Sequence, residues 1–520
     1  MGTHSDNRPA HDAVGDAADW FERVAPAQGS RVFLATAAGR SISYLELCRQ
    51  TAQWAQLLAA LGVQPGARVA VRVEKSPEAV LLYLACLRLG AVYVPINTAN
   101  SLNEVEYLLS DSQPCVAVVA PGERESLAPV AARACSTQLE TLGAQGEGSL
   151  PQRLPATTGA FTAARHAPEA PAALVYTSGT TGRAKGAILT RGNLASNAAA
   201  LVQAWHFSSQ DVLLHALPLF HVHGLFTAIN TALAAGATLL LLPKFEAATV
   251  VAQLRAATVF MGVPTHYTRL LQEPGLERAA TAHMRLFVSG SAPLLAETHH
   301  EFLRRTGHAI LERYGMTETL MNTSNPYDGP RRPGSVGPPL PGVALRVADP
   351  DGGAPLLEVD TVGALEVRGP NVFAGYWRDN AKTREAFTAD GWFRTGDLGR
   401  VDRDGYVHIV GRAKDLVISG GYNVYPKEVE SELDALPGVA ESAVFGVAHP
   451  DFGEGVTAAV VAQPGARLSE AALLETLRPR LASYKVPKRI VLVEELPRNA
   501  MGKVQKNALR ATYAGLYQEV

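Results

Sequence analysis

Between residues 30 and 165, short apolar runs alternate with longer runs of helical periodicity. The short runs, which have the length of buried strands, are 68–73, 91–95 and 115–120, and the longer ones are 44–61 and 77–89. Strands that alternate with helices of this length are typical of βαβ units, in which a helix crosses between two parallel strands. The alternation therefore predicts an α/β fold around a largely parallel sheet.

Changes in composition and in the predicted elements divide the rest of the chain. Residues 145–170 are rich in Gly, Pro, Ala and Thr and predict a surface connection, after which a second α/β block runs from about 171 to 330. From 335 onward, short strands separated by Gly, Pro and Asp turns predict a small β-rich unit. The order strand, helix, strand, strand, helix, strand then predicts a compact α+β unit with helices at 427–435 and 470–481.

The chain is long enough for more than one folding unit, because 520 residues exceed what a single hydrophobic core usually holds. We therefore predict a multidomain α/β and α+β protein. Residues 1–18 are predicted as a disordered tail and 19–411 as an N-terminal domain of two α/β subdomains and a small β-rich subdomain. Residues 412–520 are predicted as a mobile C-terminal α+β domain, with the boundary in the polar segment 411–415.

Charge and hydropathy favour an enzyme that acts on small molecules. The formal net charge is −2 and no long Lys/Arg run occurs, so neither a nucleic acid nor an anionic membrane is indicated as a partner. The first 18 residues contain no apolar stretch of the kind that directs secretion. The apolar segment 216–243 is interrupted by histidines and glycines, which predicts buried core rather than a membrane span.

The cysteines indicate a reducing compartment. The four cysteines form no C-x-x-C pair and lie near no cluster of histidines with metal-binding spacing, which favours buried thiols. They are Cys48, Cys86, Cys115 and Cys135. A cytoplasmic location is therefore expected.

The segment VYTSGTTGRAKGAILT, residues 175–190, has the composition of a phosphate-binding loop. Its spacing differs from the P-loop of NTPases, in which the lysine directly follows the second glycine. Hydroxyls and glycines would let the backbone approach a polyphosphate, and a lysine would supply positive charge. These residues are Thr177, Ser178, Gly179, Thr180, Thr181, Gly182 and Lys185. The alternative is a Ser/Gly-rich turn between a strand and a helix.

Three later stretches carry further candidates, each with a structural alternative. Glu318 beside Thr317 is suited to a Mg²⁺ ion that bridges phosphates, although an isolated glutamate is usually a solvated surface charge. Asp397, in a Thr-Gly-Asp turn, and Arg412 could bind the hydroxyls of a ribose, or the aspartate could cap a hairpin turn. Lys503 lies in a loop bracketed by proline and glycine, which suggests a loop of required shape. The structural alternative is a solvated lysine near the C-terminus.

The order of the motifs resembles the adenylate-forming superfamily, which contains acyl-CoA synthetases, luciferases and peptide-synthetase adenylation domains. The motifs are YTSGTTGRAKG, YGMTET, RTGDLG, GRAKDLVISGGYNVYPKEVE and PRNAMGKVQK. The resemblance covers about 30–515 and implies a two-step reaction that uses ATP, Mg²⁺ and coenzyme A. A carboxylate attacks the α-phosphate of Mg·ATP and releases pyrophosphate, and the thiol of coenzyme A then displaces AMP from the acyl-adenylate.

The same resemblance implies a role for each matched position around the phosphates. The 177–186 loop would wrap the β- and γ-phosphates, with Thr177 and Glu318 as the metal-binding residues. Thr317 would meet the α-phosphate. Lys503 would bridge the acid and the α-phosphate and would offset the negative charge that builds up when two anions react.

Matched positions also imply how the nucleoside and coenzyme A are handled. Tyr314 would stack on adenine, and Asp397 and Arg412 would bind the ribose. Lys414 matches the hinge about which the small domain rotates, a movement that withdraws Lys503 and exchanges catalytic groups between the half-reactions. The residues brought toward the pantetheine tunnel would be Ser419, Gly420 and Gly421.

A narrower resemblance implies the acid. The segments LPLFHVHGL, GVPTHYTRLL, VSGSAPL and RYGMTETLMNTSNPYDG resemble those of malonyl-CoA synthetases. In that family an arginine at the position of Arg269 and a histidine at that of His223 hold the distal carboxylate of malonate, and Ser291 is expected to add a hydroxyl. Met316 and Val222 would form the wall beside C2, and the sequence leaves malonate and methylmalonate both open.

Three alternatives remain open from the sequence. A ligase for short- or medium-chain fatty acids, or for aryl acids, would leave Arg269 facing solvent and His223 an ordinary core residue. A peptide-synthetase adenylation domain would need an acidic residue to pair with an ammonium group, and none is evident. A catalytically silent adenylate-binding protein is disfavoured because both Lys503 and Glu318 are present. The number of subunits is left undecided.

Overall fold

The architecture is described from a computed structural model. The residues described are 20–134, 138–156, 161, 166–177, 184–350, 355–499 and 502–517. The predicted tail 1–18 and Cys135 lie outside these ranges.

The first 330 residues contain short, mostly buried strands separated by helices. The strands are β1 (Val32–Thr36), β2 (Ser41–Ser43), β3 (Arg68–Arg72), β4 (Val92–Pro95), β5 (Val116–Val119), β6 (Gln138–Thr141), β7 (Pro171–Thr177), β8 (Lys185–Thr190), β9 (Val212–His215), β10 (Thr238–Leu241), β11 (Val259–Gly262), β12 (Leu286–Ser289), β13 (Leu311–Met316) and β14 (Leu320–Ser324). The helices are α1 (Ala25–Gln28), α2 (Tyr44–Ala60), α3 (Pro77–Leu89), α4 (Leu102–Ser112), α5 (Arg124–Ala134), α6 (Ser149–Gln152), α7 (Arg191–Ala204), α8 (Ile229–Ala235), α9 (Ala247–Gln253), α10 (Pro264–Leu270), α11 (Arg278–Thr281) and α12 (Ala296–Thr306). Shorter helical segments are Trp20–Val24, Pro121–Glu123, His223–Ala228 and Leu254–Ala256.

The remaining residues contain more strand than helix. The elements are β15 (Ala344–Ala348), β16 (Gly363–Arg368), β17 (Gly375–Tyr376), α13 (Asn380–Ala386), β18 (Phe393–Val401), β19 (Val407–Arg412), a 3-10 turn (Ala413–Asp415), β20 (Val417–Ser419), β21 (Tyr422–Val424), α14 (Pro426–Asp434), β22 (Val439–His449), β23 (Gly453–Ala462), α15 (Glu470–Leu477), β24 (Arg489–Val493) and α16 (Lys506–Thr512).

Helix α3 shows how local chemistry sets these bounds. The Ser76 side chain accepts a hydrogen bond from the Ala79 amide, and Pro77 occupies the first helical position, where its missing N–H costs nothing. Gly90 ends the helix at φ 79°, a left-handed conformation that glycine adopts without strain. The helix predicted at 77–89 is therefore confirmed.

Two large sheets are built mainly from parallel pairs, as the alternation of strands and helices predicts. In the described residues one sheet has the order β17-β8-β7-β4-β3-β5-β6 and the other the order β14-β13-β12-β11-β9-β10-β1-β2. Among the strands that the structure describes in these two sheets, the antiparallel pairs lie toward the sheet edges, between β7 and β8, β8 and β17, β13 and β14, and β1 and β2.

The two sheets exchange strands, so the predicted blocks 30–165 and 171–330 do not each form one sheet. Strand β1 pairs with β10 of the second sheet, through Leu34 and Leu239. Strands β7 and β8 join the first sheet, where Tyr93 of β4 pairs with Ala173. A short apolar run indicates that a strand is buried, but it does not indicate which distant strand it pairs with. The exchange was therefore not predicted from the sequence.

The last two sheets are mainly antiparallel, and the C-terminal one differs from its prediction. A sheet of order β15-β16-β18-β19 precedes a sheet of order β21-β20-β23-β22, to which β24 adds in parallel beside β23. Two strands rather than one come before α14, and the basic tail contains helix α16. Gly420 and Gly421 both have positive φ, at 59° and 81°, which suits the two-residue turn between β20 and β21. Strands of three residues are too short for their periodicity to be recognised.

The ends of β3, β4, β9 and β10 lie around one cavity of about 270 Å³ between the two large sheets. Carboxyl ends of parallel strands are the usual ligand-binding edge of α/β sheets. The predicted core segment 216–243 is largely buried beside it. No helix in the described ranges is long and apolar enough to cross a membrane.

Candidate active site

The phosphate-loop candidate connects two strands rather than a strand and a helix. Thr177 pairs with Lys185 across the β7–β8 hairpin, and its hydroxyl donates to the Lys185 carbonyl at 3.5 Å. Helix α7 begins only after β8, so the segment after Thr177 leads into a strand rather than into a helix N-terminus. The other loop candidates lie outside the described residues; they are Ser178, Gly179, Thr180, Thr181 and Gly182.

Glu318 is buried, with 6% of its surface exposed, in the turn between β13 and β14. The Tyr376 hydroxyl donates to Glu318 Oε1 at 3.0 Å, and the ring of the same tyrosine lies 5.3 Å from the Lys185 ammonium. One residue of β17 thus contacts both the lysine of the loop and the candidate metal-binding carboxylate. Sequence reasoning missed Tyr376, because β17 is only two residues long and pairs with a strand far away in the chain.

A single buried carboxylate fits a magnesium ion that arrives with a nucleotide. Mg²⁺ typically binds one or two carboxylates together with phosphate oxygens and waters. Within the described ranges, no group of three or more His, Cys, Asp or Glu side chains is arranged to hold a metal ion without such help. Burial raises the pKa of Glu318, and the hydrogen bond from Tyr376 opposes that rise.

Replacing Tyr376 with phenylalanine is expected to weaken adenylation by about 10-fold near neutral pH. Without the donated hydrogen bond the pKa of Glu318 rises further, so the ionised form is lost at a higher pH. The acid limb of the kcat/KM profile should therefore move to higher pH, and the apparent Mg²⁺ affinity should fall. Tyr406→Phe is the matched control, since the Tyr406 hydroxyl donates to the Pro330 carbonyl. An acid limb that stays in place would contradict the assigned role.

The candidate ribose-binding residues meet at one point. The Tyr314 hydroxyl donates to Asp397 Oδ2 at 2.5 Å, and Arg412 Nε lies 3.1 Å from Asp397 Oδ1. Asp397 is within β18 rather than in the predicted turn, and it pairs directly with Arg412 of β19. Gly396, at φ 73°, makes the strand irregular at this position. The buried carboxylate is thus fixed by two side chains.

Lys503 is brought to this point by a hairpin of the C-terminal region. The Lys503 amide donates to Asn499 Oδ1, and the Asn499 amide donates to the Lys503 carbonyl, both at 2.9 Å. Gly502 lies against α10, where an added Cβ would come within 2.8 Å of Thr265 Oγ1. The charges of Arg412 and Asp397 both act on the Lys503 ammonium. The structure therefore places Lys503 near the candidate ribose-binding residues Asp397 and Arg412.

The pattern Val263-Pro264-Thr265 predicts Thr265 as the N-cap of a helix, but Thr265 does not cap α10. The helix begins at Pro264, so the capping position is Val263, and no side chain makes a cap hydrogen bond. Proline is favoured at the first helical position because its missing N–H has no helical partner there. Thr265 instead contacts the Lys503 loop.

The alkaline limb of the adenylation rate is expected to reflect Lys503. Burial, followed by the neighbouring Arg412 charge, lowers the pKa of Lys503 to about 8. The lysine is charged below this pH and neutral above it, so kcat/KM, which reports the free enzyme, should fall as the pH rises through about 8. Lys503→Arg keeps its charge over this range, and its residual activity should lack that limb. An unchanged limb in Lys503→Arg would assign it to another group.

The hinge and tunnel candidates occupy adjoining segments. Lys414 is exposed in the Ala413–Asp415 turn, and Asp415 forms a 2.9 Å ion pair with Arg510 of α16. Ser419 is buried and pairs with Gly453, and the Gly420 amide donates to the Phe452 carbonyl at 2.9 Å. Gly421 is exposed at the tip. The β20–β21 hairpin is therefore held within its own sheet.

The acyl-side candidates include a buried polar pair. His223 is only 1% exposed, and its Nδ1 lies 3.4 Å from Ser291 Oγ. Ser291 adopts φ 73°, a conformation that is rare outside glycine and that concentrates at functional sites. Burial, followed by the charge of Arg313, holds the pKa of His223 well below its usual range, so the ring is neutral. Val222 is buried beside His223, and Met316 is half-buried at the end of β13.

Arg269 is not brought into this polar pair. Helix α10 buries Tyr267 and Leu270 and leaves Arg269 exposed. The Arg269 charge still acts on the ring of His266, which stacks on Phe245 at 3.8 Å. A solvent-facing Arg269 is what the fatty-acyl or aryl alternative predicts, so this residue gives no support to a buried carboxylate site.

Known proteins match the chain over most of its length. Residues 21–377 match the family described as AMP-binding enzyme, and residues 428–503 match the AMP-binding enzyme C-terminal domain. The chain is 40% identical over 456 residues to a mitochondrial malonate–CoA ligase of Mus musculus, which covers 81% of this chain and 77% of that protein. It is 36% identical over 482 residues to an indoleacetate–CoA ligase of Aromatoleum aromaticum, with 91% and 94% covered.

A solved structure shares the whole architecture. The crystal structure of ATP-bound MatB from Rhodopseudomonas palustris superposes with a TM-score of 0.93 at 54% identity, covering 96% of this chain and 99% of that one. This similarity confirms the predicted α/β multidomain fold with a large N-terminal and a small C-terminal domain. The chain therefore belongs to the AMP-binding enzyme family and contains both the main domain, with Glu318, and the C-terminal domain, with Lys503.

Proposed function

We propose that the protein joins malonate to coenzyme A in an ATP-dependent reaction that proceeds through malonyl-adenylate and yields malonyl-CoA, AMP and pyrophosphate. Family membership and the malonate–CoA ligase relative support the reaction class and the acid. The observation that carries the malonate assignment is the polarity of the buried acyl side, where Ser291 and His223 lie side by side. Methylmalonate would be a second substrate if Met316 and Val222 leave room beside C2.

In the first half-reaction two anions must approach each other. We assign Lys503 to this step because it is partly buried, faces Asp397 and Arg412, and can neutralise charge between the carboxylate and the α-phosphate. Thr317 would add a hydroxyl at that phosphate. The ribose would be held by the Asp397–Arg412 pair, with Tyr314 against the base.

The pyrophosphate side would be held by the loop that follows Thr177 and by Lys185. When bound with ATP, Mg²⁺ would neutralise phosphate charge, and Glu318 and Thr177 are the residues that would hold it. Tyr376 would orient the Glu318 carboxylate. Each of these roles is part of the proposal.

The second half-reaction requires a different arrangement of the C-terminal part. We assign residues 19–411 to the main domain and 412–520 to a domain that rotates about Lys414, and 1–18 to a disordered tail. With Gly502, the neighbour of Lys503, against α10, the arrangement described suits adenylation. Rotation would withdraw Lys503 and bring the turn of Ser419, Gly420 and Gly421 toward the pantetheine thiol of coenzyme A.

A panel of acids tests the proposed function. AMP release in the presence of ATP, Mg²⁺ and coenzyme A should be faster with malonate than with acetate, propionate, octanoate, benzoate or indoleacetate. Omitting coenzyme A should leave pyrophosphate exchange intact and stop thioester formation. Acetate or octanoate outperforming malonate would reject the malonate assignment.

A ligase for fatty or aryl acids is the second candidate. The cavity of about 270 Å³ is lined in part by Leu219, Phe220 and Phe245, which suits an apolar acid, and Arg269 faces solvent. One relative is named as an indoleacetate–CoA ligase. In the same panel, octanoate, benzoate or indoleacetate turned over faster than malonate would establish this alternative.

We also propose a cytoplasmic location, with small molecules rather than nucleic acids or membranes as partners. The described cysteines Cys48, Cys86 and Cys115 are free thiols, as expected in a reducing compartment. Cell fractionation tests this, and recovery of the protein in a membrane-bounded organelle would contradict it.

A further inference from the structure

Helix α4 contacts the chain just before β7 ends and again just before β8 begins. The Tyr107 hydroxyl donates to the Ala184 carbonyl at 2.8 Å, and the Tyr176 hydroxyl donates to Asp111 Oδ2 at 2.5 Å. Tyr176 is the last residue but one of β7, and Ala184 directly precedes β8. One helix therefore holds the β7–β8 hairpin at two points that lie on opposite sides of its connection.

The two contacts come from one face of α4. Tyr107 and Asp111 are four residues apart, which places them one above the other on the helix surface. The rings of Tyr107 and Tyr176 meet edge to face, with their centroids 6.5 Å apart. Both rings pack against a buried cluster that includes Val105 and Leu109 of the same helix. The hydrogen bonds therefore originate from a packed helix.

The contact between Tyr176 and Asp111 is the stronger of the two on chemical grounds. Burial, followed by the hydrogen bond to Asp111, raises the pKa of Tyr176, so its hydroxyl stays protonated and donates. A carboxylate accepts a stronger hydrogen bond than a main-chain carbonyl does, because it carries a charge. Loss of the Asp111 carboxylate should therefore disturb the hairpin more than loss of the Tyr107 hydroxyl.

The end of α4 is also linked to the segment that contains Tyr376. The indole N–H of Trp377 donates to the Asp111 carbonyl at 3.0 Å, and the Trp377 amide donates to the Gly186 carbonyl at 2.7 Å. The neighbouring Tyr376 ring lies 5.3 Å from the Lys185 ammonium. Helix α4 is thus connected to the strand that carries Lys185 and to the tyrosine that this lysine contacts.

We propose that Tyr107 and Asp111 are positioning residues that set Thr177 and Lys185 in place for the β- and γ-phosphates of ATP. Each acts through the hairpin rather than by contact with the nucleotide. The inference rests on the ATP-dependent step of the proposed function and is independent of which acid is activated. Because AMP lacks the two outer phosphates, its binding should not depend on these contacts.

The affinity for MgATP compared with that for AMP tests this role in Tyr107→Phe and Asp111→Ala. Isothermal titration calorimetry on the full-length chain gives both dissociation constants without turnover. The Kd for MgATP should rise about 5-fold in Tyr107→Phe, which loses one hydrogen bond, and about 10-fold in Asp111→Ala, which loses a charged acceptor. The Kd for AMP should stay at the wild-type value in both variants.

Two further variants separate positioning from a general effect on stability. Asp111→Asn should recover most of the MgATP affinity, because its amide oxygen can still accept the hydrogen bond from Tyr176. Tyr44→Phe is the matched control, since the Tyr44 hydroxyl donates to the Ala237 carbonyl at 2.6 Å in the core. That change should lower the melting temperature and leave both dissociation constants unchanged.

The two half-reactions give a second measurement. The KM for pyrophosphate in ATP–pyrophosphate exchange should rise in Tyr107→Phe, because the hairpin is assigned to the phosphates that leave. Conversion of synthetic malonyl-adenylate and coenzyme A to malonyl-CoA should keep its wild-type rate, because the adenylate no longer carries those phosphates.

Two results would overturn the positioning role. Equal weakening of MgATP and AMP would make Tyr107 and Asp111 supports of the whole fold, and unchanged affinities in both variants would show that the hairpin keeps its position without α4. A wild-type enzyme that fails to activate malonate, while the variants lose affinity for MgATP but not for AMP, would reject the proposed function and support this inference.

Discussion

Replacing Lys503 with methionine is expected to slow formation of malonyl-adenylate by on the order of 10²- to 10³-fold. The reaction brings a carboxylate toward a triphosphate, and Lys503 supplies positive charge at the point where their negative charges meet. Because the lysine is partly buried beside Arg412 and Asp397, its charge is less screened by water than that of a surface lysine. Methionine preserves much of the side-chain length and removes the charge.

Separate assays of the two half-reactions show whether the loss has this origin. ATP–pyrophosphate exchange with malonate should collapse in Lys503→Met, whereas synthetic malonyl-adenylate and coenzyme A should still give malonyl-CoA. Lys382→Met is the matched control, since Lys382 is a surface lysine paired with Glu385 on α13. Equal losses in both half-reactions would show that Lys503 supports the fold or the domain arrangement rather than adenylation.

Replacing Glu318 with glutamine is expected to lower adenylation by on the order of 100-fold and to raise the Mg²⁺ concentration needed for half-maximal activity. Glutamine can still accept the hydrogen bond from Tyr376, so the local geometry should survive while the negative charge is lost. Pyrophosphate exchange measured over a range of Mg²⁺ concentrations gives both quantities.

Glu312→Gln is the matched control for the Glu318→Gln variant. Glu312 lies on the same strand, β13, and burial raises its pKa to about 8, so the side chain is mostly protonated at neutral pH. Glutamine then changes little charge, and the Mg²⁺ dependence should stay at the wild-type value. A similar shift in both variants would mean that packing around β13, rather than the Glu318 charge, controls the metal dependence.

The prediction of secondary structure worked where local chemistry is strong. Helix α3 begins at a serine cap followed by proline and ends at a glycine with positive φ, and each of these signals is local in sequence. The short hairpin β20–β21 and the two-residue strand β17 were missed, because two or three residues carry no readable periodicity. The exchange of strands between the two large sheets was missed because pairing partners lie far apart in the chain.

The candidate site also divides into residues that local motifs predict and residues that only distant contacts bring in. The motif residues Tyr314, Asp397 and Arg412 were each named from the sequence, and the structure brings them into direct contact. Tyr376 was not named, although it contacts Glu318, since no local pattern marks a tyrosine that reaches the site from a distant strand. Arg269 was expected in the acyl pocket, yet α10 turns it toward solvent.

The sequence by itself determined the family, the kind of fold and the residue types needed for adenylation, because motif spacing and the periodicity of apolar residues are local properties of the chain. Only the tertiary structure decided which cation lies buried on the acyl side. Arg269 faces solvent because α10 packs Tyr267 and Leu270 inward, whereas Arg313 is buried where β13 runs beside β12. Burial and charge pairing depend on contacts between segments that are distant in sequence, so they arise only when the chain has folded.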